Sequence, residues 1–166
     1  MTDRDWSPIL RLAYQEATKS PDPSTQNGAI LVRPTGHPIK STLAHNKFPD
    51  GVKYTDDRWE RPLKYSMIEH AERGSLYAAA RWGQSTHGLT MVCPWAACAD
   101  CARGIIECGI VRLVTHQQAH DRSPERWRES IQIAFDMLDE AGVEVTYYDG
   151  VVGALPVRHT GEVWVP

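Results

Sequence analysis

Near the amino end, apolar residues recur every three or four positions. Trp6, Ile9, Leu10, Ala13 and Ala17 share one face of a helix predicted over residues 3–19. Two prolines among small polar residues, Ser20-Pro21-Asp22-Pro23-Ser24, stop that helix. The period then changes. Gly28-Ala29-Ile30-Leu31-Val32 is a short apolar run rich in branched side chains, which reads as a strand. Pro34-Thr35-Gly36 reads as a turn, and residues 39–45 as a second strand closing a hairpin. Residues 46–65 show no periodicity and mix charges with Phe48, Tyr54 and Trp59, as a long functional or unstructured loop would.

Helical composition returns over residues 68–82, where Ile68, Ala71, Leu76, Ala79 and Ala80 precede the stop at Gly83. A strand over 89–93, a helix over 99–108 with Ile105 and Ile106 inward, and a strand over 110–115 follow. Ser123-Pro124-Glu125 offers a capping serine, a proline suited to the first helical turn and an early acid, so a helix is predicted from there to about residue 140. Trp127, Ile131, Ala134, Phe135 and Leu138 mark its buried stripe, and residues 143–147 form a last strand. The tail from 149 to 166 carries no clear pattern.

Five strands interleaved with helices predict an α/β sandwich of two or three layers around a mixed sheet. The length, 166 residues, suits one domain spanning residues 1–166, with a core over about 5–148 and an extension over 149–166. Eighteen Lys and Arg against 21 Asp and Glu leave a net charge of −3, which lacks the general attraction to phosphate backbones that nucleic-acid binders use. The opening MTDRDWSPIL lacks the basic start and apolar run of a signal peptide, and no apolar stretch approaches a membrane span. A cytoplasmic protein with no membrane partner is expected.

The four cysteines, Cys93, Cys98, Cys101 and Cys108, crowd into sixteen consecutive positions, a layout suited to metal binding rather than to a disulfide framework. Cys98 and Cys101 stand one helical turn apart. If Cys98 opens a helix, both sulfurs can reach one ion, and the positive helix end favours thiolate. With His70 they make the three N/S ligands of a zinc site that keeps one position open for water. Glu72, two residues past the histidine, is placed to move protons rather than to share the metal. Cys93 and Cys108 read as small buried hydrophobes.

His70-Ala71-Glu72 together with Cys98-Ala99-Asp100-Cys101 resembles the motif pair of zinc nucleobase deaminases. The likeness extends to Ser20–Thr25 leading into Gly28–Val32, to Asn46 with Pro49 and Gly51, and to the glycine-isoleucine pair at Gly109. It is similar to deoxycytidylate (dCMP) deaminases over residues 5–116. That resemblance implies a three-layer α/β/α cytidine-deaminase-like sandwich around a mixed five-stranded sheet. It also implies one Zn²⁺ per chain on His70, Cys98 and Cys101, Glu72 as proton carrier, and a homo-oligomer. By position in the motif, Asn46 would hold the sugar or base, while the Ala71 N–H and the Ala96 carbonyl would read the base edge and leaving amine. Trp95 would wall the base. Two positions depart from the family pattern: Ala97 stands where proline precedes the first cysteine, and Gly74 where asparagine is common.

The substrate implied first is dCMP, with or without a C5 substituent. Lys53, Arg58, Arg61 and Lys64 are the nearest candidates for a 5′-phosphate, or else the charges of a solvated loop. A free base such as guanine, a nucleoside or another aminated heterocycle is the alternative small-molecule class. RNA or single-stranded DNA would need a basic, aromatic groove. A structural zinc module would need a fourth ligand, for which His87, His116 and His120 are the candidates. Tyr147, Tyr148 and Trp164 are expected to leave apolar surface for an oligomer interface.

Overall fold

The computed structural model describes residues 4–166, so Asp3, the first residue of the predicted amino-terminal helix, lies outside them. That helix, α1 (Ser7–Ala17), is shorter than its pattern because it starts where the Asp5 carboxylate accepts the Ser7 N–H at 2.9 Å and Pro8 occupies the first turn. β1 (Gly28–Val32) and β2 (Pro38–His45) form the expected hairpin. After a 3-10 turn at Asp56–Trp59 come α2 (Leu63–Met67), α3 (Ala71–Arg81), β3 (Thr90–Val92), α4 (Ala99–Glu107), β4 (Arg112–His116), α5 (Gln117–Asp121), α6 (Glu125–Glu140) and β5 (Glu144–Tyr148). A final hairpin pairs β6 (Val157–His159) with β7 (Glu162–Trp164).

The five main strands form one mixed sheet in the order β2-β1-β3-β4-β5. β1 is antiparallel to both neighbours, while β3, β4 and β5 run parallel. Alternation divides the core between two faces. Ala29, Leu31, Met91 and Leu113 pack with Leu76 and Ala79 of α3, Ile105 of α4, and Ala134 and Leu138 of α6. Ile30, Val32, Val92 and Val114 pack with Leu10, Ala13, Tyr14 and Ala17 of α1 and with Val152 and Val157 of the tail. The result is the three-layer α/β/α sandwich around a five-stranded mixed sheet that the resemblance implied. No helix among the described residues is long and apolar enough to cross a membrane.

Three local expectations change. The stretch expected as pure loop contains α2, held down by a buried ion pair in which Lys64 Nζ lies 2.7 Å from Asp22 Oδ1. Ser123 does not cap α6, because its hydroxyl accepts the Trp95 indole N–H at 2.6 Å and Pro124 takes the capping position. Trp164, expected on an exposed apolar surface, packs instead near Tyr14, His116 and His159 with the Arg122 guanidinium over its ring. Tyr148 is likewise half-buried in that cluster, whereas Tyr147 is exposed.

The tail is bound to the body by backbone pairing. The Gln26 N–H donates to the Arg158 carbonyl at 2.8 Å, the Gly161 N–H to the Ser24 carbonyl at 2.8 Å, and the Thr160 N–H to Thr25 Oγ1 at 3.2 Å. Two buried histidines secure it further. Tyr14 donates to His116 Nδ1 at 2.7 Å, and His116 Nε2 donates to the Gly150 carbonyl at 2.9 Å, an arrangement only the neutral ring can make. Burial lowers the His116 pKa, and burial with the nearby Arg122 charge lowers that of His159 to about 4.

At these two histidines the folded state therefore binds fewer protons than the unfolded chain below the ordinary histidine pKa of about 6.5, and the stability they contribute should fall as acid is added. The melting temperature is expected to be highest above about pH 6.5 and to drop by roughly 5–10 °C on the way to pH 4. His159→Gln should flatten that slope, as read by thermal melts across the pH series. A parent protein equally stable at pH 4.5 and pH 7 would contradict the neutral-histidine assignment.

Candidate active site

Both sequence motifs lie at helix starts facing one end of the sheet. His70 is the capping residue of α3 and Cys98 that of α4, each in extended conformation immediately before its helix. A two-residue bridge fixes the first approach: the Lys47 N–H donates to the Glu69 carbonyl at 3.1 Å, and the Glu69 N–H to the Lys47 carbonyl at 2.8 Å. The second approach is the loop leaving β3, tied to the top of β4 where Thr115 Oγ1 and the His116 N–H both donate to the Pro94 carbonyl. Ala97, where the family carries proline, is fully buried in the core beside Cys98. At Gly74 a Cβ would come within 3.2 Å of the Ala44 Cβ, so glycine lets α3 lie close on β2.

The geometry of the donors can be compared with what zinc requires. With Zn–S near 2.3 Å and Zn–N near 2.0 Å, tetrahedral donors sit about 3.5–3.8 Å apart. His70 Nδ1 lies 3.6 Å from Cys98 Sγ and 3.5 Å from Cys101 Sγ, and the two sulfurs are 3.5 Å apart. His70, Cys98 and Cys101 are the group among the described residues whose donor atoms converge in this way. His116, a candidate fourth ligand, is committed to Tyr14 and Gly150. The donor set fits a zinc ion with an open position.

The three donors differ in their electrostatics. The hydrogen bond between Cys98 and Cys101, with His70 alongside, outweighs burial and pulls the Cys98 thiol down to about 4. Cys101 is itself pushed up, by that same bond and by burial. The Arg73 guanidinium, bound also by Glu69, donates to Cys101 Sγ at 3.5 Å and balances the sulfur charge. Burial opposes charge on His70, but the bond to Cys98 and the nearby Glu72 outweigh it and raise its pKa. Glu72, in the first turn of α3, is 2% exposed and its Oε2 has no hydrogen-bond partner among the described residues. Desolvation raises its pKa, as expected for a carboxyl held in reserve beside a reaction centre.

These groups open into a narrow cleft lined by Asn27, Asn46, His70, Glu72, Trp95, Ala96, Cys98, Trp127 and Ile131. Trp95 and Trp127 meet edge to face, with centroids 6.5 Å apart, and Trp127 packs the same way on His70 at 5.9 Å. The sequence placed Asn46, Trp95 and Ala96 here. Ala71 opens α3 beside them, and its N–H donates to Asn46 Oδ1 at 2.9 Å. Asn27, Trp127 and Ile131 went unrecognised. Asn27 left a faint signal, a polar amide heading an otherwise apolar strand.

Among the described residues, no lysine or arginine lines the cleft. Of the four basic candidates, Lys64 is buried against Asp22, and Arg58 donates to the Lys53 carbonyl at 2.9 Å. Arg61 reaches Ser24 Oγ at 3.3 Å.

Known proteins share this arrangement. Residues 4–117 match the model of the cytidine and deoxycytidylate deaminase zinc-binding region. An uncharacterized deaminase encoded in the luxG 3′ region of Aliivibrio fischeri is 37% identical over 139 residues, covering 84% of this chain and 90% of that protein. The deoxycytidylate deaminase of Enterobacteria phage T2 is 37% identical over 116 residues, 64% of this chain and 57% of the phage enzyme's length. Among solved structures, the dCMP deaminase of cyanophage S-TIM5, in complex with dCMP and dUMP, superposes with a TM-score of 0.68. It shares 21% identity and covers 89% of this chain and 99% of its own. The chain thus belongs to the family of zinc-dependent cytidine and deoxycytidylate deaminases, hydrolases that act on C–N bonds.

Proposed function

We propose that the protein deaminates a cytosine nucleotide, dCMP to dUMP, using a zinc ion held by His70, Cys98 and Cys101 with Glu72 as the proton carrier. The observation that carries this reading is the unpartnered, buried Glu72 Oε2 beside three converging zinc donors in a tryptophan-walled cleft. The likeness to phage enzymes that act on deoxycytidylate supports the choice of base.

When bound, the zinc supplies Lewis acidity, lowering the pKa of a water toward about 7. Glu72 accepts the proton released as the water oxygen bonds to C4 of the base. It delivers a proton to the ring nitrogen N3 and then assists the amine, which departs as ammonia while C4 becomes a carbonyl. Trp95 and Trp127 wall the ring and exclude water. Asn46 bonds the Ala71 N–H through Oδ1 and the Thr25 carbonyl through Nδ2, which leaves one amide proton for a sugar oxygen. Ala96, lining the cleft, offers its carbonyl to the leaving amine. Arg61, which donates to Ser24 Oγ at 3.3 Å, is the cation assigned to a 5′-phosphate.

The absence of a cation from the cleft lining favours a second reading, in which a nucleoside or free base is the substrate. Ammonia release measured on dCMP, CMP, deoxycytidine, cytosine, guanine and a cytosine-containing oligonucleotide separates the readings. Highest kcat/KM on dCMP is expected, highest on deoxycytidine or a free base supports the second reading, and turnover of the oligonucleotide alone overturns both. A homo-oligomer belongs to the proposal, with Tyr77 and Trp82, 56% and 70% exposed beside the edge strand β2, as surface for it.

A further inference from the structure

Cys93 and Asn27 are both buried at the site end of the sheet, and neither is used by the chemistry above. Because β1 and β3 are antiparallel, the residue entering β1 and the residue leaving β3 share an edge. Asn27 Nδ2 donates to Cys93 Sγ at 3.2 Å, and the Cys93 thiol donates onward to the Trp95 carbonyl at 3.5 Å. The direction of this chain is set at its far end. A carbonyl can only accept, so the thiol proton points to Trp95 and the sulfur is left as acceptor for the Asn27 amide nitrogen. That fixes the amide's orientation. Nδ2 is held by sulfur, and Oδ1 has no donor among the described residues although Asn27 lines the cleft.

The main chain supports the same placement. The Asn46 N–H donates to the Asn27 carbonyl at 3.1 Å, so the two asparagines stand opposite one another just beyond the Gly28–His45 pair that ends the hairpin. One amide offers a donor to the cleft and the other an acceptor.

Resting on the deaminase reading, we propose that Asn27, aimed by Cys93, is a specificity-determining residue whose Oδ1 accepts a hydrogen bond from an O–H or N–H group of the substrate. A substrate lacking that donor leaves a desolvated oxygen unpaired in the closed cleft, which is how a buried polar group discriminates. Cys93 is a positioning residue. It touches no substrate, and without it the amide is free to turn its nitrogen toward the cleft.

The test compares Asn27→Val, Cys93→Ala and Cys93→Ser with the parent, on whichever panel substrate the parent turns over best. Zinc content and melting temperature are measured alongside. Asn27→Val is expected to lower kcat/KM by about tenfold or more, mostly through KM, with zinc retained. Cys93→Ala should give a smaller loss of the same kind. Cys93→Ser, which keeps both an acceptor and a donor, should behave like the parent. With dCMP as substrate, 2′,3′-dideoxy-CMP identifies the donor. If Asn27→Val costs nothing on the dideoxy compound, Oδ1 accepts the sugar hydroxyl; if it costs the same on both, Oδ1 accepts the exocyclic amine. Asn27→Val within twofold of the parent in both KM and kcat overturns the assignment of Asn27. Cys93→Ser as impaired as Cys93→Ala overturns the positioning role. A parent inactive on every panel compound overturns the deaminase reading itself, and is recognised before any variant is compared.

Discussion

Glu72→Gln is expected to lower kcat by about a thousandfold or more while the zinc content of the purified protein stays at the parent level. Glutamine preserves the volume and packing of a side chain that is 2% exposed in the first turn of α3, so the change falls on proton affinity and little else. The amide can neither accept the water's proton nor return it to the ring nitrogen and the amine. Zinc retention follows because the converging donors are His70, Cys98 and Cys101, with Glu72 outside that group. A structural zinc would give the opposite result, since its site would be indifferent to a neighbouring carboxyl. Turnover of Glu72→Gln at the parent rate, with ammonia release as the readout, would sink the mechanism. Loss of zinc from that variant would instead move Glu72 into the coordination sphere.

The legible parts of this chain are those where a local pattern and the tertiary structure demand the same thing. β1 is buried on both faces and reads as an unbroken apolar run. The Cys98–Cys101 motif carries its own geometry, because the residue at a helix start and the one a turn later necessarily lie close together. What the sequence hid depends on partners far along the chain. α2 is five residues long, too short for a period, and is held by Lys64 to an aspartate 42 positions earlier. The tail hairpin looks patternless because its backbone bonds go to residues 24–26, more than 130 positions away.

Ser123 illustrates a local rule losing to a tertiary one. A serine before Pro-Glu is a good cap, yet its hydroxyl serves the Trp95 indole, 28 positions earlier. The Ala71 N–H, which its motif position marks as a reader of substrate, also has a partner that only the fold reveals, Asn46. Cys93 was legible as buried but not as bonded, since burial follows from the apolar run and its partner Asn27 lies 66 residues earlier.

Gly28→Ala is expected to destabilise the protein by about 3 kcal/mol or more, because α1 rests directly on the start of β1 with no side chain between them. A Cβ at Gly28 would sit 2.1 Å from the Ala13 carbonyl oxygen and 2.8 Å from the Ala17 nitrogen. Both are backbone atoms of a helix and cannot swing aside as a flexible side chain could. Relief requires moving α1 as a body, which loosens Leu10, Ala13, Tyr14 and Ala17 from Ile30, Val32 and Val114 across that face of the sheet. At about 2–4 °C per kcal/mol for a chain of this size, the melting temperature should fall by roughly 6–12 °C. Gly74→Ala is the matched control. There the nearest atom is the Ala44 methyl at 3.2 Å, a contact relieved by a few tenths of an ångström, and the helix gains up to about 1 kcal/mol of propensity in compensation. Its melting temperature should stay within about 2 °C of the parent. Equal melting of Gly28→Ala and Gly74→Ala would show that α1 yields freely and that the close helix-to-strand contact does not carry the stability assigned to it.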